Sequence, residues 1–544
     1  MTDPTAQRLS PSGHVDAFAR ESLPPFEDWP VLVGLGALGY PERLNAAVEL
    51  VDTTIAAHGS DRPALIGIDQ RWSYGELSKA VEQAANVLVD AGVVPGNRVL
   101  LRGPNNPLLA IAWLAVVRVG GVVVTTMPML RAVELEKISD IARVQFALVD
   151  HRYLAEWEGV GSFDGVTIPF GGPTDDDLVA RCRVASAVNV AADTAADDVC
   201  LLAFTSGTTG KPKATMHFHR DVLAIADTFS AHIVKPTAED VFAGSPPIAF
   251  TFGLGAVVIF PLRVGASTVL LEAATPPALL EAIPEYRITC LFTAPTAYRA
   301  MLPMVPNADL SSLRRCVSAG ETLPAATWQA WFDATAIKLI DGIGATELLH
   351  IFISASDDDI RPGTTGRPVP GFIAEVVDEH LMALPAGTPG LLAVRGPVGC
   401  RYLADDRQRV YVRGGWNITG DVYLMDEAGY FHYQSRADDM IVSSGYNIAA
   451  PEVEGALLTH PAVAETAVIG IPDIDRGMLV KAFVVLQPGF AADPSMARGL
   501  QDHVKATIAP YKYPRQIEFV DELPKTATGK LQRFRLKEIT GTSV

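Results

Sequence analysis

The run Thr205-Ser206-Gly207-Thr208-Thr209-Gly210-Lys211-Pro212-Lys213 gathers hydroxyls, glycines and two ammonium groups into one short stretch. It comes directly after an apolar segment, 199–204, that reads as a strand. Glycines let the backbone turn its N–H groups towards an anion, and the lysines add charge, so such a loop suits a chain of phosphates. Its spacing is wrong for a Walker loop, which needs four residues between the glycines and a Lys-Ser/Thr end. A plain linker of the same composition is the alternative. A second glycine run, Gly34-Leu35-Gly36-Ala37-Leu38-Gly39, matches G-x-G-x-x-G, but only a short apolar stretch precedes it and Pro41 interrupts the start of any helix after it. Without a strand–turn–helix context it reads as a turn, not a dinucleotide site.

Further fragments carry chemistry only in combination. Gly342-Ile343-Gly344-Ala345-Thr346-Glu347 sets a hydroxyl and a carboxylate after what reads as a glycine-rich turn, a pair able to hold a phosphate oxygen and Mg²⁺. Trp416-Asn417-Ile418-Thr419-Gly420-Asp421 ends in a carboxylate on an expected tight turn, suited to two vicinal sugar hydroxyls. Pro524-Lys525-Thr526-Ala527-Thr528-Gly529-Lys530 is a second lysine-bearing loop. In isolation each is equally a solvated loop. His217, His219 and His350 lack metal-ligand spacing, so structural or pocket roles are preferred to a metal.

Apolar strands alternating with helices must position these fragments. The pattern predicts helices over 44–57, 74–88, 107–117, 221–232 and 278–286. Strands are expected at 63–67, 72–74, 99–101, 122–124, 146–149, 199–204, 268–271 and 290–292. Such alternation indicates largely parallel sheets covered on both faces. From residue 388 the texture changes to short antiparallel strands (391–395, 411–413, 430–433), and after Asp438-Asp439 a compact α+β unit is expected. It would hold helices at 451–458 and 497–505 and strands at 465–469 and 481–486. Residues 1–30 read as an irregular lead-in.

The balance of the chain excludes several classes. Its 544 residues suffice for large cores, and a net charge of −18 argues against nucleic acid or an anionic membrane as partner. One stretch opposes the trend: 505–537 holds eight basic residues against three acidic, a candidate dock for phosphates. Five dispersed cysteines with no C-x-x-C pair fit a reducing cytoplasm rather than a disulfide framework or zinc site. The polar N-terminus is not a signal peptide, and the apolar run 108–117 is too short to span a bilayer.

Taken in order, the motifs T-S-G-T-T-G-K-P-K, G-I-G-A-T-E, G-T-T-G-R-P-V-P-G (363–371), I-T-G-D, S-R-A-D-D with S-S-G-Y-N-I-A-A-P-E-V-E, and P-K-T-A-T-G-K resemble the acyl-adenylate-forming (AMP-binding) superfamily. The resemblance runs from about residue 61 to 537. It implies an α/β fold: a large N-terminal domain, 1–437, of stacked mixed sheets with flanking helices and a small β-barrel-like part. A small mobile α+β domain, 438–544, would carry the catalytic lysine. It also implies roles. The loop Thr205, Ser206, Gly207, Thr208, Thr209, Gly210, Lys211 and Lys213 would hold the ATP phosphates. Ala319, Gly320, Glu321 and Asp341, Gly342, Ile343, Gly344 would wall the adenine. Thr346 would touch the α-phosphate, Glu347 would bind Mg²⁺, and Asp421 with Arg436 would take the ribose. Asp438 would be the hinge, Lys530 the lysine between carboxylate and α-phosphate, and Ser444, Gly445 and Tyr446 would face coenzyme A.

Within the superfamily, 245–255 and 342–354 resemble aryl-CoA ligases acting on benzoates. The lead-in P-P-F-E-D-W-P and Y-P-E-R-L-N-A-A is similar to 2-aminobenzoate–CoA ligases. The implied acyl pocket comprises Ala249, Phe250, Thr251, Gly253, Ala319, Gly344 and His350, with Ala249 and Thr251 leaving room for an ortho amino or hydroxyl group. The expected activity is therefore ATP- and Mg²⁺-dependent ligation of 2-aminobenzoate or a related benzoate to coenzyme A. A benzoate- or hydroxybenzoate-CoA ligase, or an enzyme loading an aryl acid onto a separate carrier protein, are the alternatives. The partners are small molecules, and the oligomeric state, a homodimer included, is left open.

Overall fold

Runs such as Val122–Thr126, Arg98–Arg102 and Phe146–Asp150 are buried along their whole length, as strands covered on both faces must be. The computed structural model describes residues 9–205, 212–437, 441–443, 446–473, 477–508, 510–525 and 531–540, and these form four sheets. The first runs Val166–Phe170, Phe146–Asp150, Arg98–Arg102, Val122–Thr126, Val199–Thr205, Lys213–Phe218. Its neighbours are parallel except the last pair, an antiparallel hairpin. The second, of nine strands, has a parallel centre that includes Cys290–Thr293, Arg315–Ser318 and Leu339–Gly344. It is closed at one end by the antiparallel strands Ile351–Ser354 and Arg367–Pro368.

Helices supply the crossovers. Ser73 and Glu76 form a reciprocal capping box that starts Tyr74–Asp90. Asn106 accepts from Leu109 N at 3.0 Å and Pro107 opens Pro107–Arg118. That second helix is buried almost all round, within a core shared by both sheets. The third sheet is antiparallel, built on Ile373–Val377, Gly390–Arg395, Trp416–Met425, Val412–Arg413 and Phe431–Arg436. The fourth, with Val463–Asp473 paired to Gly477–Leu486, has its own core beneath Ala450–Leu458 and Pro494–Thr507.

Several expectations change in detail. The predicted helix 44–57 is two, Ala46–Leu50 and Asp52–His58, parted at Val51. The helix expected at 221–232 is His219–Ile225 running on into the wider π-turn Ala226–Val234. The glycines 342–344 lie in a strand, Leu339–Gly344, not a turn. Asp421 likewise lies within the strand Trp416–Met425, with Gly420 at φ 77° beside it. The G-x-G-x-x-G run is a short helix, Leu35–Leu38, between Gly34 and Gly39, both in the left-handed region. Over its described residues, 9–30, the lead-in carries only short helical turns but is firmly tied. Asp16 pairs with Arg98 at 2.6 Å and Arg20 with Asp198 at 3.0 Å, and Gln408 donates to Asp28 O at 2.7 Å. Among the described residues no helix is long and apolar enough to cross a membrane, and all five cysteines are free thiols.

Candidate active site

The hairpin of the first sheet pairs Thr205 with Lys213, the described ends of the run expected to hold phosphates. Its Ser206, Gly207, Thr208, Thr209, Gly210 and Lys211 lie outside the described residues. The free edge of Lys213–Phe218 is extended by residues 401–403: Met216 N donates to Arg401 O at 2.7 Å and Leu403 N to Ala214 O at 2.9 Å. This pairing delivers Tyr402 to the site. Its hydroxyl accepts from Lys213 Nζ and donates to Glu347 Oε1. Lys213 Nζ is 2.9 Å from the same carboxylate oxygen and 4.4 Å from the Tyr402 ring centroid.

Glu347 is 7 % exposed. Burial pushes its carboxyl up, but the Lys213 charge and the hydrogen bonds from Tyr402 and Lys213 outweigh that and hold it below the usual carboxylate range. Burial and then the Glu347 charge push the Tyr402 phenol up, so it stays a donor. Tyr411 stands next, its ring 5.9 Å from that of Tyr402. Its buried hydroxyl has no hydrogen-bond partner among the described residues and, beyond the effect of burial, feels the charges of both Glu347 and Asp421. Asp421 is opposite Arg436 in register, 3.1 Å from Nη1, while Arg436 also donates to Thr419 O at 3.0 Å. Gly420, at φ 77°, holds a left-handed conformation that disfavours any side chain, and a Cβ there would lie 2.9 Å from the guanidinium.

The residues expected to wall the adenine end two adjacent parallel strands, in which Ser318 pairs with Asp341. Ligands of open α/β sheets bind at such carboxyl ends. Ala319, Gly320 (φ 91°) and Glu321 come after one strand, and Asp341, Gly342, Ile343 and Gly344 finish the other. A Cβ at Gly342 would meet Ile351 at 2.7 Å, and one at Gly344 would meet the His350 carbonyl oxygen at 2.8 Å. Burial pushes the Asp341 carboxyl up to about 8 against the pull of the Gly342 N–H, and its Oδ1 is without a partner among the described residues.

The loop expected to line the acyl pocket is pinned by the first sheet. Asn105 donates to Pro246 O at 2.9 Å and accepts from Ile248 N at 2.8 Å, and Thr125 donates to Ala249 O at 3.2 Å. Phe250 N bonds back to Pro247 O, and Thr251–Leu254 turns into a helix. Gly253 is required because a Cβ there would sit 2.1 Å from Pro247 O. His350 packs against this helix, 5.6 Å from the Phe252 ring, 4.6 Å from Phe260 and 5.1 Å from Phe229. Burial pushes its imidazole down to about 3, with the Phe252 backbone pulling the other way. It is a neutral ring, and neither nitrogen has a partner of normal geometry among the described residues.

The structure thus joins Lys213, Glu347, Asp421 and Arg436 into one lined region and sets His350 between the acyl loop and Gly344. It adds Tyr402 and Tyr411, which sequence reasoning missed. His219 is structural: its Nδ1 accepts from Ala46 N at 3.1 Å. Asp438, Ser444, Gly445 and Lys530 lie outside the described residues, and Tyr446 opens the strand Tyr446–Ile448. Among the described residues no three His, Cys, Asp or Glu side chains converge as a metal cage.

Comparison with known proteins agrees with this geometry. The model of the AMP-binding enzyme family matches residues 51–402, and that of the AMP-binding enzyme C-terminal domain matches 452–530. A benzoate–CoA ligase of Thauera aromatica is 36% identical over 512 residues, 92% of this chain and 97% of the relative. A 3-hydroxybenzoate–CoA ligase of Aromatoleum sp. (strain CIB) is 32% identical over 91% of this chain and 97% of its own length. The crystal structure of the anthranilate CoA ligase AuaEII in complex with anthranoyl-AMP superposes with a TM-score of 0.88 at 35% identity, covering 92% of this chain and 98% of that one. A benzoate CoA ligase from Burkholderia xenovorans LB400 gives 0.83 at 32% identity, covering 91% and 99%.

Proposed function

Since the chain belongs to the AMP-binding enzyme family, in its aryl-CoA ligase branch, we propose that it converts 2-aminobenzoate to its CoA thioester through an aryl-adenylate. ATP and coenzyme A are its co-substrates, and AMP and pyrophosphate are released. The observation that carries the aryl-adenylate reading is the buried Lys213–Tyr402–Glu347 cluster beside the paired Asp421 and Arg436.

A carboxylate attacking ATP is an anion meeting an anion, so the transition state needs positive charge on both partners. In this proposal the loop 205–213 cradles the phosphates, with Lys211 and Lys213 as its cations. Asp421, held by Arg436, receives the ribose hydroxyls, and Ala319–Glu321 with Asp341–Gly344 flank the adenine. Thr346 meets the α-phosphate. A single buried carboxylate kept charged, with a threonine hydroxyl beside it, is the hard-oxygen set that holds Mg²⁺ jointly with phosphates, so Glu347 fits as its protein ligand. When bound, Mg²⁺ would neutralise phosphate charge as a Lewis acid.

Lys530 neutralises the attacking carboxylate and the α-phosphate together. It rides on a C-terminal domain, 438–544, that turns about Asp438 so that Ser444, Gly445 and Tyr446 replace it when the thiol arrives. For the ring, Ala249 and Thr251 leave space at an ortho position. The buried, neutral His350 supports an acyl pocket that accepts an uncharged polar substituent in preference to a second charge, which would be buried unpaired.

AMP release with coenzyme A across benzoate, 2-aminobenzoate, the hydroxybenzoates and long-chain fatty acids tests the proposal. The highest kcat/KM is expected for 2-aminobenzoate. Preference for unsubstituted benzoate would move the assignment to benzoate itself, and preference for a fatty acid would refute the aryl pocket.

A further inference from the structure

The turn that carries Thr346 and Glu347 runs directly into a strained residue. Leu349, at φ 66° and ψ −31°, is the centre of a three-residue turn closed by His350 N to Leu348 O at 2.8 Å. That is the rarer, strained hand of a γ-turn, and a bulky residue stays in it only where surrounding contacts over-determine it. Tyr402 holds the turn from the nucleotide side through the Glu347 carboxylate. From behind, His217 Nε2 lies 2.8 Å from the Thr346 carbonyl oxygen. A carbonyl only accepts, so Nε2 carries the proton.

Behind His217 lies a buried ion pair. The His217 Nδ1 is 3.9 Å from the Asp221 carboxylate, beyond hydrogen-bond reach and without a hydrogen-bond partner among the described residues, while Asp221 takes Arg401 Nη2 at 2.6 Å and the Phe218 N–H at 3.0 Å. His217, Asp221 and Arg401 are all fully buried. The guanidinium stacks 4.0 Å from the Phe218 ring and 5.2 Å from Trp29, which the lead-in contributes. Arg401 Nε and Nη1 have no partner among the described residues. A dry ion pair with unsatisfied donors is weak evidence for stability, since apolar residues of like size commonly fold as well. What the pair does supply is orientation. Arg401 and Tyr402 are adjacent, so one dipeptide reaches both residues of the turn: Tyr402 the carboxylate, and Arg401, through Asp221 and His217, the Thr346 carbonyl.

We propose that His217, packed against the buried Asp221–Arg401 pair, is a positioning residue for adenylation that fixes the Thr346–Glu347 turn against the nucleotide. This rests on the assignment of Thr346 and Glu347 to the ATP phosphates and Mg²⁺. His217 touches no reactant, so its removal lowers kcat while leaving ground-state ATP binding nearly intact.

The test is acid-dependent ATP–pyrophosphate exchange by the full chain. His217→Ala is expected to lose about 100-fold in kcat, the usual scale for a misplaced reacting geometry, with KM for ATP within about threefold of the parent. His217→Gln, which can still donate to the carbonyl, should recover most of the rate. If His217→Ala does not fold, His217→Asn, polar but shorter, takes its place. Arg401→Met combined with Asp221→Asn removes both charges yet keeps an acceptor for Phe218 N. It should show the same kcat-selective loss at an unchanged urea midpoint. Glu347→Gln is the control: full exchange in that variant defeats the underlying assignment rather than this inference. If Glu347→Gln collapses while the His217 and double variants keep parental kcat, or lose activity only through KM or the urea midpoint, the positioning role is overturned.

Discussion

Tyr402→Phe removes a single oxygen from the centre of the polar cluster. The ring is fully buried and lies under Lys213 at 4.4 Å, so phenylalanine fills the same space and keeps the cation over its face. What disappears is the hydrogen bond to Glu347 Oε1 together with the one accepted from Lys213 Nζ, while Lys213 remains 2.9 Å from that oxygen. A hydrogen bond to a charged group contributes about 1.5–3 kcal/mol, and with Lys213 still in place we take about 2 kcal/mol. If all of it is expressed in the transition state, the rate of acid-dependent pyrophosphate exchange falls about 30-fold.

Ionisation supplies a second signature. The folded carboxyl of Glu347 sits below its ordinary value of 4.5, so its stabilisation is present above that value and is lost as pH falls through the lower folded one. Tyr402→Phe raises the folded value. The variant should therefore be less stable than the parent near neutral pH, with the gap closing on acidification. Exchange kinetics and urea melts at neutral and acid pH measure both. Parental exchange together with parental stability at neutral pH would show that the Tyr402 hydroxyl does not hold Glu347.

Three further outcomes are expected. Asp240, buried but bonded by Arg314, Thr289 and Thr237 N, is drawn down from 3.8 to about 2. Asp240→Asn should cost about 2 kcal/mol in urea unfolding near neutral pH, a difference that vanishes as the solution is acidified from 3.8 towards 2. Asp421→Asn, which weakens the pairing with Arg436 and the acceptor offered to the ribose, should raise KM for ATP about tenfold or more with a smaller change in kcat, measured by steady-state AMP release. Ala249→Phe should reduce kcat/KM for 2-aminobenzoate about tenfold or more relative to benzoate, because overpacking the wall meets the ortho group first.

The parts legible in the sequence were those with local signals. Val122–Thr126 and its neighbours announced themselves as runs of β-branched residues, and the helix expected at 74–88 is there as Tyr74–Asp90. The loop 205–213 was visible from its glycines and hydroxyls. What escaped depends on pairing between distant segments. Lys213–Phe218 was not among the expected strands, because its strand character comes from pairing with 199–205 and 401–403. Tyr402 carries no local mark: it meets Glu347 across 55 positions and Lys213 across 189. Gly342 and Gly344 mimic a turn, since glycine is a poor strand former, and are there because Ile351 and His350 approach too closely for any side chain. Asp421 looked like a turn residue for the same reason, Gly420 beside it being left-handed within a strand. The lead-in looked irregular and is so, yet its Asp16, Arg20 and Trp29 anchor it to buried partners that only the folded chain reveals.

The most direct measurement is made on Lys530→Ala in two half-reactions: acid-dependent ATP–pyrophosphate exchange, and thioester formation from a preformed aryl-adenylate and coenzyme A. Loss of one charge contact in the transition state costs about 3 kcal/mol, so exchange should fall about a hundredfold or more while the second half-reaction proceeds near the parental rate. Undiminished exchange would contradict a mechanism in which one ammonium group joins the aryl carboxylate to the α-phosphate.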